Sequence, residues 1–84
     1  MCYGPGCLAR SLAGHDKNQY FIIVSQEGEY VFLADGAGRT VAHPKRKKKK
    51  HIQAADQPLI TDTVLTDELI RRHLKQYKKA TFRR

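Results

Sequence analysis

Tyr20-Phe21-Ile22-Ile23-Val24-Ser25, then Glu27-Gly28-Glu29, then Tyr30-Val31-Phe32-Leu33-Ala34, is the stretch that decides the fold. Aromatic and β-branched residues run without a breaker on either side of a short connection that contains glycine, which is the signature of a β-hairpin. The first arm does not alternate cleanly between apolar and polar, so both of its faces are expected to be covered. Asp35-Gly36-Ala37-Gly38 reads as a second turn, Asp-Gly being among the strongest short hairpin signals, and Arg39-Thr40-Val41-Ala42 as the next strand.

Upstream, Cys7-Leu8-Ala9-Arg10-Ser11-Leu12 reads as a first strand after a loose lead-in, residues 1–6, marked by Gly4-Pro5-Gly6. Between the first two strands lies the polar loop Gly14-His15-Asp16-Lys17-Asn18-Gln19, in which Gly14 and Asn18 are the residues best able to take positive φ. Downstream, Ile52-Gln53-Ala54 reads as a brief closing strand. Five short antiparallel strands in some fifty residues imply a small, strongly bent barrel spanning residues 7–55, since closing the sheet removes exposed edges. Leu8, Phe21, Ile23, Val31, Leu33, Val41 and Ile52 are the expected inward residues. A one-residue register slip would exchange the faces.

Residues 56–65, containing Pro58, form a connector, and residues 66–80 an amphipathic helix. Thr66 is a candidate cap, and Asp67 and Glu68 place negative charge where the helix dipole favours it. Leu69, Ile70, His73, Leu74 and Tyr77 share one side at helical spacing, opposite most of Arg71, Arg72, Lys75, Lys78 and Lys79. That stripe is the expected cover for the two-sided strands. Residues 81–84 read as a basic tail. The expected class is thus mainly β, a five-stranded antiparallel barrel with a C-terminal α-helix.

The charge is unevenly spread. The chain of 84 residues carries a net +8, yet residues 1–44 sum to −1 and residues 51–84 to +3. The six cations Lys45-Arg46-Lys47-Lys48-Lys49-Lys50 supply the rest, in a segment bracketed by His43-Pro44 and His51 and read as a basic loop over residues 43–51. Six adjacent like charges repel one another, and such a run calls for something anionic opposite it. With a pI near 9.8, nucleic acid is the first partner to consider. His43 and His51, among so many cations, are expected to act as neutral hydrogen-bonding groups.

Two cysteines are too few for a disulfide-stapled secreted scaffold, and Cys2 and Cys7 sit where a bridge is expected to constrain little. Their spacing matches no closed zinc pattern. The N-terminal stretch carries only Arg10 as a charge and no apolar block, unlike a signal peptide, and no apolar run is long enough to cross a bilayer. A cytoplasmic, reducing location is expected. The acids Asp16, Glu27, Glu29 and Asp35 all fall in turns, and no Ser/His/Asp or Cys/His set is recognisable, so neither an enzyme nor a cofactor is expected.

Residues 8–24, a strand, a loop carrying Gly14, Lys17 and Asn18, and a second apolar strand, resemble a KOW motif. The continuation through Tyr30-Val-Phe-Leu-Ala-Asp35-Gly36 and Pro44-Lys-Arg-Lys-Lys-Lys-Lys50-His51 is similar to the small KOW-domain RNA-binding proteins of bacteria, relatives of KOW-containing proteins of the large ribosomal subunit. The resemblance covers residues 7–55 and implies an SH3-like barrel that binds RNA, within or near the ribosome. It departs at Asn18, where KOW motifs usually carry glycine; the asparagine can hold the turn, but its side chain hinders close approach of backbone to phosphate.

The candidate RNA-binding residues are Lys45, Arg46, Lys47, Lys48, Lys49 and Lys50. Lysines act as point charges for phosphates, so sequence-tolerant, salt-dependent binding is expected. Lys17, His15 and Asn18 form either a second contact or a polar turn facing water, and Arg39 is expected near the same face. Tyr20 and Tyr30 are read chiefly as strand and core residues, with base stacking as the other use of an exposed ring. The expected partners are RNA, foremost rRNA, and the ribosome, without a membrane or a small-molecule substrate. The competing reading is a protein-interaction module whose helix docks on a partner, the basic run serving as a localisation signal or a clamp on an acidic surface.

Overall fold

The computed structural model describes the backbone of residues 1–82 and the side chains of residues 1–80. Five strands, β1 (Cys7–Ser11), β2 (Tyr20–Glu27), β3 (Tyr30–Ala34), β4 (Lys45–Lys48) and β5 (Ile52–Pro58), form one antiparallel sheet in the order β4-β3-β2-β1-β5, followed by helix α1 (Asp67–Phe82). The fold is mainly β with one C-terminal helix. The expected closure into a barrel is not made by the ladder: β4 and β5 are the two edges and do not pair. A single 3₁₀ turn, Lys49–His51, joins them. Only three residues lie between Lys48 and Ile52, so the sheet curls until the end of β4 and the start of β5 stand within about 14 Å, the reach of four Cα steps.

The β2–β3 hairpin forms as its sequence dictates, with Glu27 opposite Tyr30 and Gly28 at φ +58° in the turn between them. Phe21, Ile22 and Ile23 are all buried, because the sheet has a core on each side. Phe21, Ile23, Val31, Leu33 and Ile52 join Cys7, Ala9 and Ala54 on the inner face. Leu8 and Val41, expected there, are not. Alternation along β1 turns Cys7 and Ala9 inward and Leu8 outward. On the outer face Leu8, Ile22 and Ala34 meet Ile60, Ile70 and Leu74, with Val41 and Tyr77 half-buried against them. The helix therefore covers its own sheet. Thr66 caps it, its Oγ1 accepting from Leu69 N–H at 3.2 Å.

The strand expected at Arg39–Ala42 is a loop. The N–H groups of Asp35 and Gly36 donate to the Arg39 carbonyl at 2.9 Å, and the Asp35 carboxylate accepts from Ala37 and Arg39. The Val41 N–H, which a ladder would need, donates instead to Asp67 Oδ1 at 2.8 Å. This loop runs hard against α1: a Cβ on Gly36, at φ +80°, would stand 2.5 Å from the Asp67 carbonyl oxygen. The place beside β3 passes to the basic run, which enters its strand immediately after Pro44.

The ends differ from expectation as well. Residues 1–6 are tied down by a disulfide between Cys2 and Cys7, by Cys2 N–H donating to Ala55 O at 2.7 Å and by Gly6 N–H donating to Ile23 O at 2.8 Å. Strand β5 runs on to Pro58, taking part of the expected connector. Helix α1 extends through Phe82, and the last two residues of the expected basic tail lie outside the described residues. Among the described residues no helix is long and apolar enough to cross a membrane.

Candidate nucleic-acid interface

The basic run is a strand, and a strand has two faces. Lys45 and Lys47 stand opposite Leu33 and Val31, so they share the inner face with those buried residues; Arg46 and Lys48 stand opposite Phe32 and Tyr30 on the outer face. Correspondingly, Lys45 and Lys47 are half-buried, whereas Arg46 and Lys48 are exposed. The basic loop expected over residues 43–51 is thus divided between β4 and the 3₁₀ turn, and its six cations are not equivalent.

The inward pair has an acid. Lys45 Nζ lies 2.6 Å from Asp16 Oδ2, and Lys47 Nζ lies 2.7 Å from Asp16 Oδ1. The Lys47 ammonium also donates to Ala13 O at 2.8 Å, and the Ser11 hydroxyl donates to Asp16 Oδ1 at 2.7 Å. Both ammonium groups thus meet the first loop at one carboxylate, that of Lys47 on the more buried side chain of the two. Asp16 is only 7% exposed and Ser11 fully buried. Burial is the largest influence on the Asp16 carboxyl and acts to raise its pKa; hydrogen bonds from Lys45, Lys47 and Ser11, with the charge of Lys47, together outweigh it and hold the group well below the usual carboxylate range.

The first loop is consequently a clasp on the edge strand. Asn18 adopts φ +72° as its type allows, its N–H donates to Ser11 O at 2.8 Å, and its side chain accepts from Arg10 at 3.2 Å. Arg10 in turn donates to Gln53 Oε1 at 2.7 Å, joining this loop to β5. His15 and Lys17 are exposed on the same loop. Arg39, although exposed, sits in the loop packed on the first turns of α1, where Arg71 donates to Gly36 O.

Outward, the Arg46 guanidinium lies over the ring of Tyr30, 4.6 Å from its centroid. Lys48 and Lys50 are exposed, and among the described residues neither they nor Arg46 has a carboxylate partner. Lys49 donates to Gln26 Oε1 at 2.8 Å and lies 4.9 Å from the Tyr3 ring centroid, between the two groups. Sequence reasoning missed Asp16 and Arg10. The lysine pair spaced by two residues carried the signal for Asp16, once the run is read as a strand. Compared with known proteins, the chain matches no family model and no curated sequence.

Proposed function

We propose that the chain binds RNA through phosphate contacts from the outward cations Arg46, Lys48 and Lys50, in the manner of the small KOW-domain proteins it resembles, with ribosomal or other structured RNA in the cytoplasm as the target. One observation carries this reading: an edge strand that presents unneutralised cations on one face while its other cations are paired to a buried carboxylate. A merely solvated charge run has no need of such sorting. Lys17 and His15 are exposed on the loop clasped to β4, on the side where Lys45 and Lys47 meet Asp16, and are not part of this outward set. The alternative of a helix docking on a partner protein is disfavoured because Ile70 and Leu74 are already buried against the sheet.

Anisotropy titration of a labelled rRNA fragment tests the proposal. The Arg46→Gln/Lys48→Gln/Lys50→Gln variant is expected to lose most of its affinity while keeping its circular dichroism spectrum and melting temperature. A lysate fractionated on a sucrose gradient should show wild type with a ribosomal subunit and the variant at the top. Unchanged binding by the folded variant would sink the proposal.

A further inference from the structure

The outer face of the sheet is only partly covered. Helix α1 packs over Leu8, Ile22 and Ala34. Farther along β3, Phe32 and Tyr30 lie on that same face by alternation with the inward Val31 and Leu33, and both are half-buried. Their cross-strand neighbours are Arg46 and Lys48 on β4, and Ser25 and Glu27 on β2. Two aromatic rings and two cations thus form one surface, the Arg46 guanidinium already stacked above Tyr30.

We infer that this β3–β4 face is a stacking platform for unpaired nucleotides. The inference rests on the RNA-binding reading and names the form of RNA the site takes. A base extends the Tyr30–Arg46 stack or lies on Phe32, as bases do on aromatic and guanidinium planes. Lys48, with Lys50 beyond it, takes the flanking phosphates. Glu27 repels phosphate on the β2 side, so the nucleic-acid backbone runs along β4 with its bases turned toward β3. Duplex RNA keeps its base faces stacked internally and offers this platform only its charge.

Three probes of equal length separate stacking from charge: a twelve-nucleotide single strand, the same strand with abasic sites, and its duplex. Wild type is expected to bind the intact single strand roughly tenfold tighter than the abasic strand. Arg46→Lys keeps the charge and removes the planar stack, so it should lose most of that preference with its salt dependence unchanged. Tyr30→Leu should act in the same direction, and circular dichroism shows that each variant is folded. Equal binding of all three probes by wild type overturns the platform and leaves the phosphate-contact proposal standing. Binding of poly-glutamate as tightly as the intact strand also overturns it, and failure to bind any probe removes both.

Discussion

Asp16 and Lys47, separated by 31 residues, meet at 2.7 Å and join the first loop to the edge strand. Lys45 shares the same carboxylate. One acid therefore does two things: it lets a strand of cations lie along an apolar core, and it sorts those cations into a bound pair and a free row.

Removing the acid tests the first role. Asp16→Asn leaves the Lys47 ammonium, on a side chain only 9% exposed, without a counter-charge. The expected loss is about 3 kcal/mol, the low end for a broken buried pair, because the lysine stem can swing its head toward water. Adding Lys47→Met should recover part of it, which a double-mutant cycle in urea would measure. Strict additivity of the two changes would show that the pair contributes nothing as a pair.

The pH dependence follows with a definite sign. Asp16 holds its proton less tightly in the folded chain than in the unfolded one. The folded state therefore binds fewer protons as acid is added, and the stabilisation is complete above the ordinary carboxylate pKa of about 4. It declines progressively as pH falls from there toward the depressed folded value. Thermal melts between neutral pH and pH 3 should show this fall, and Asp16→Asn should flatten it. An equal fall in the variant would place the acid sensitivity elsewhere.

The parts of this fold written in contiguous residues were legible in the sequence. The β2–β3 hairpin announces itself by unbroken apolar arms, and α1 by its cap at Thr66 and the stripe that includes Ile70 and Leu74. Strand β4 was not legible. Lysine has little strand propensity, and Thr40-Val41 looked the better candidate, but pairing with β3 and the capture of the Val41 N–H by Asp67 overrode local preference. The row of six cations was evident from charge, and that much followed from the sequence alone. Its division into two faces did not, because it depends on a loop acid some thirty residues away in sequence.

Asn18 offers a test of the first loop. At φ +72° most residues are strained by roughly 1–2 kcal/mol, and asparagine and glycine least. Asn18→Ala should therefore lower stability by about 1–2 kcal/mol. Asn18→Gly should cost much less, since it relieves the backbone while losing only the exposed bond to Arg10. Chemical denaturation of the two variants side by side is sufficient, and equal losses would assign the effect to the side-chain bond instead.

The seam between the Asp35–Arg39 loop and the helix should be intolerant of bulk. Gly36→Ala adds a Cβ to a left-handed residue pressed against the Asp67 carbonyl, and neither backbone can yield without moving α1 off Ala34 and Ile22. A destabilisation of about 2 kcal/mol or more is expected, from strain and loosened packing together. Hydrogen exchange should show protection lost first in α1 and its contacts on β2. Wild-type melting of this variant would mean that the loop can detach from the helix at little cost.

Counterion release distinguishes three contacting cations from six. If Arg46, Lys48 and Lys50 alone meet phosphate, the slope of log affinity against log salt should be roughly −2 to −3, against −4 to −5 for the whole run. Lys48→Gln should then reduce it by about 0.7 to 0.9. Asp16→Asn, assayed at a temperature where it remains folded, should act oppositely: Lys45 and Lys47 lose their carboxylate, and the slope should steepen to roughly −3.5 to −4.5, the value for five cations, if their ammonium groups reach the ligand. A wild-type slope already near −5 would mean that RNA draws both lysines away from Asp16, and the clasp would then be a contact of the free protein alone.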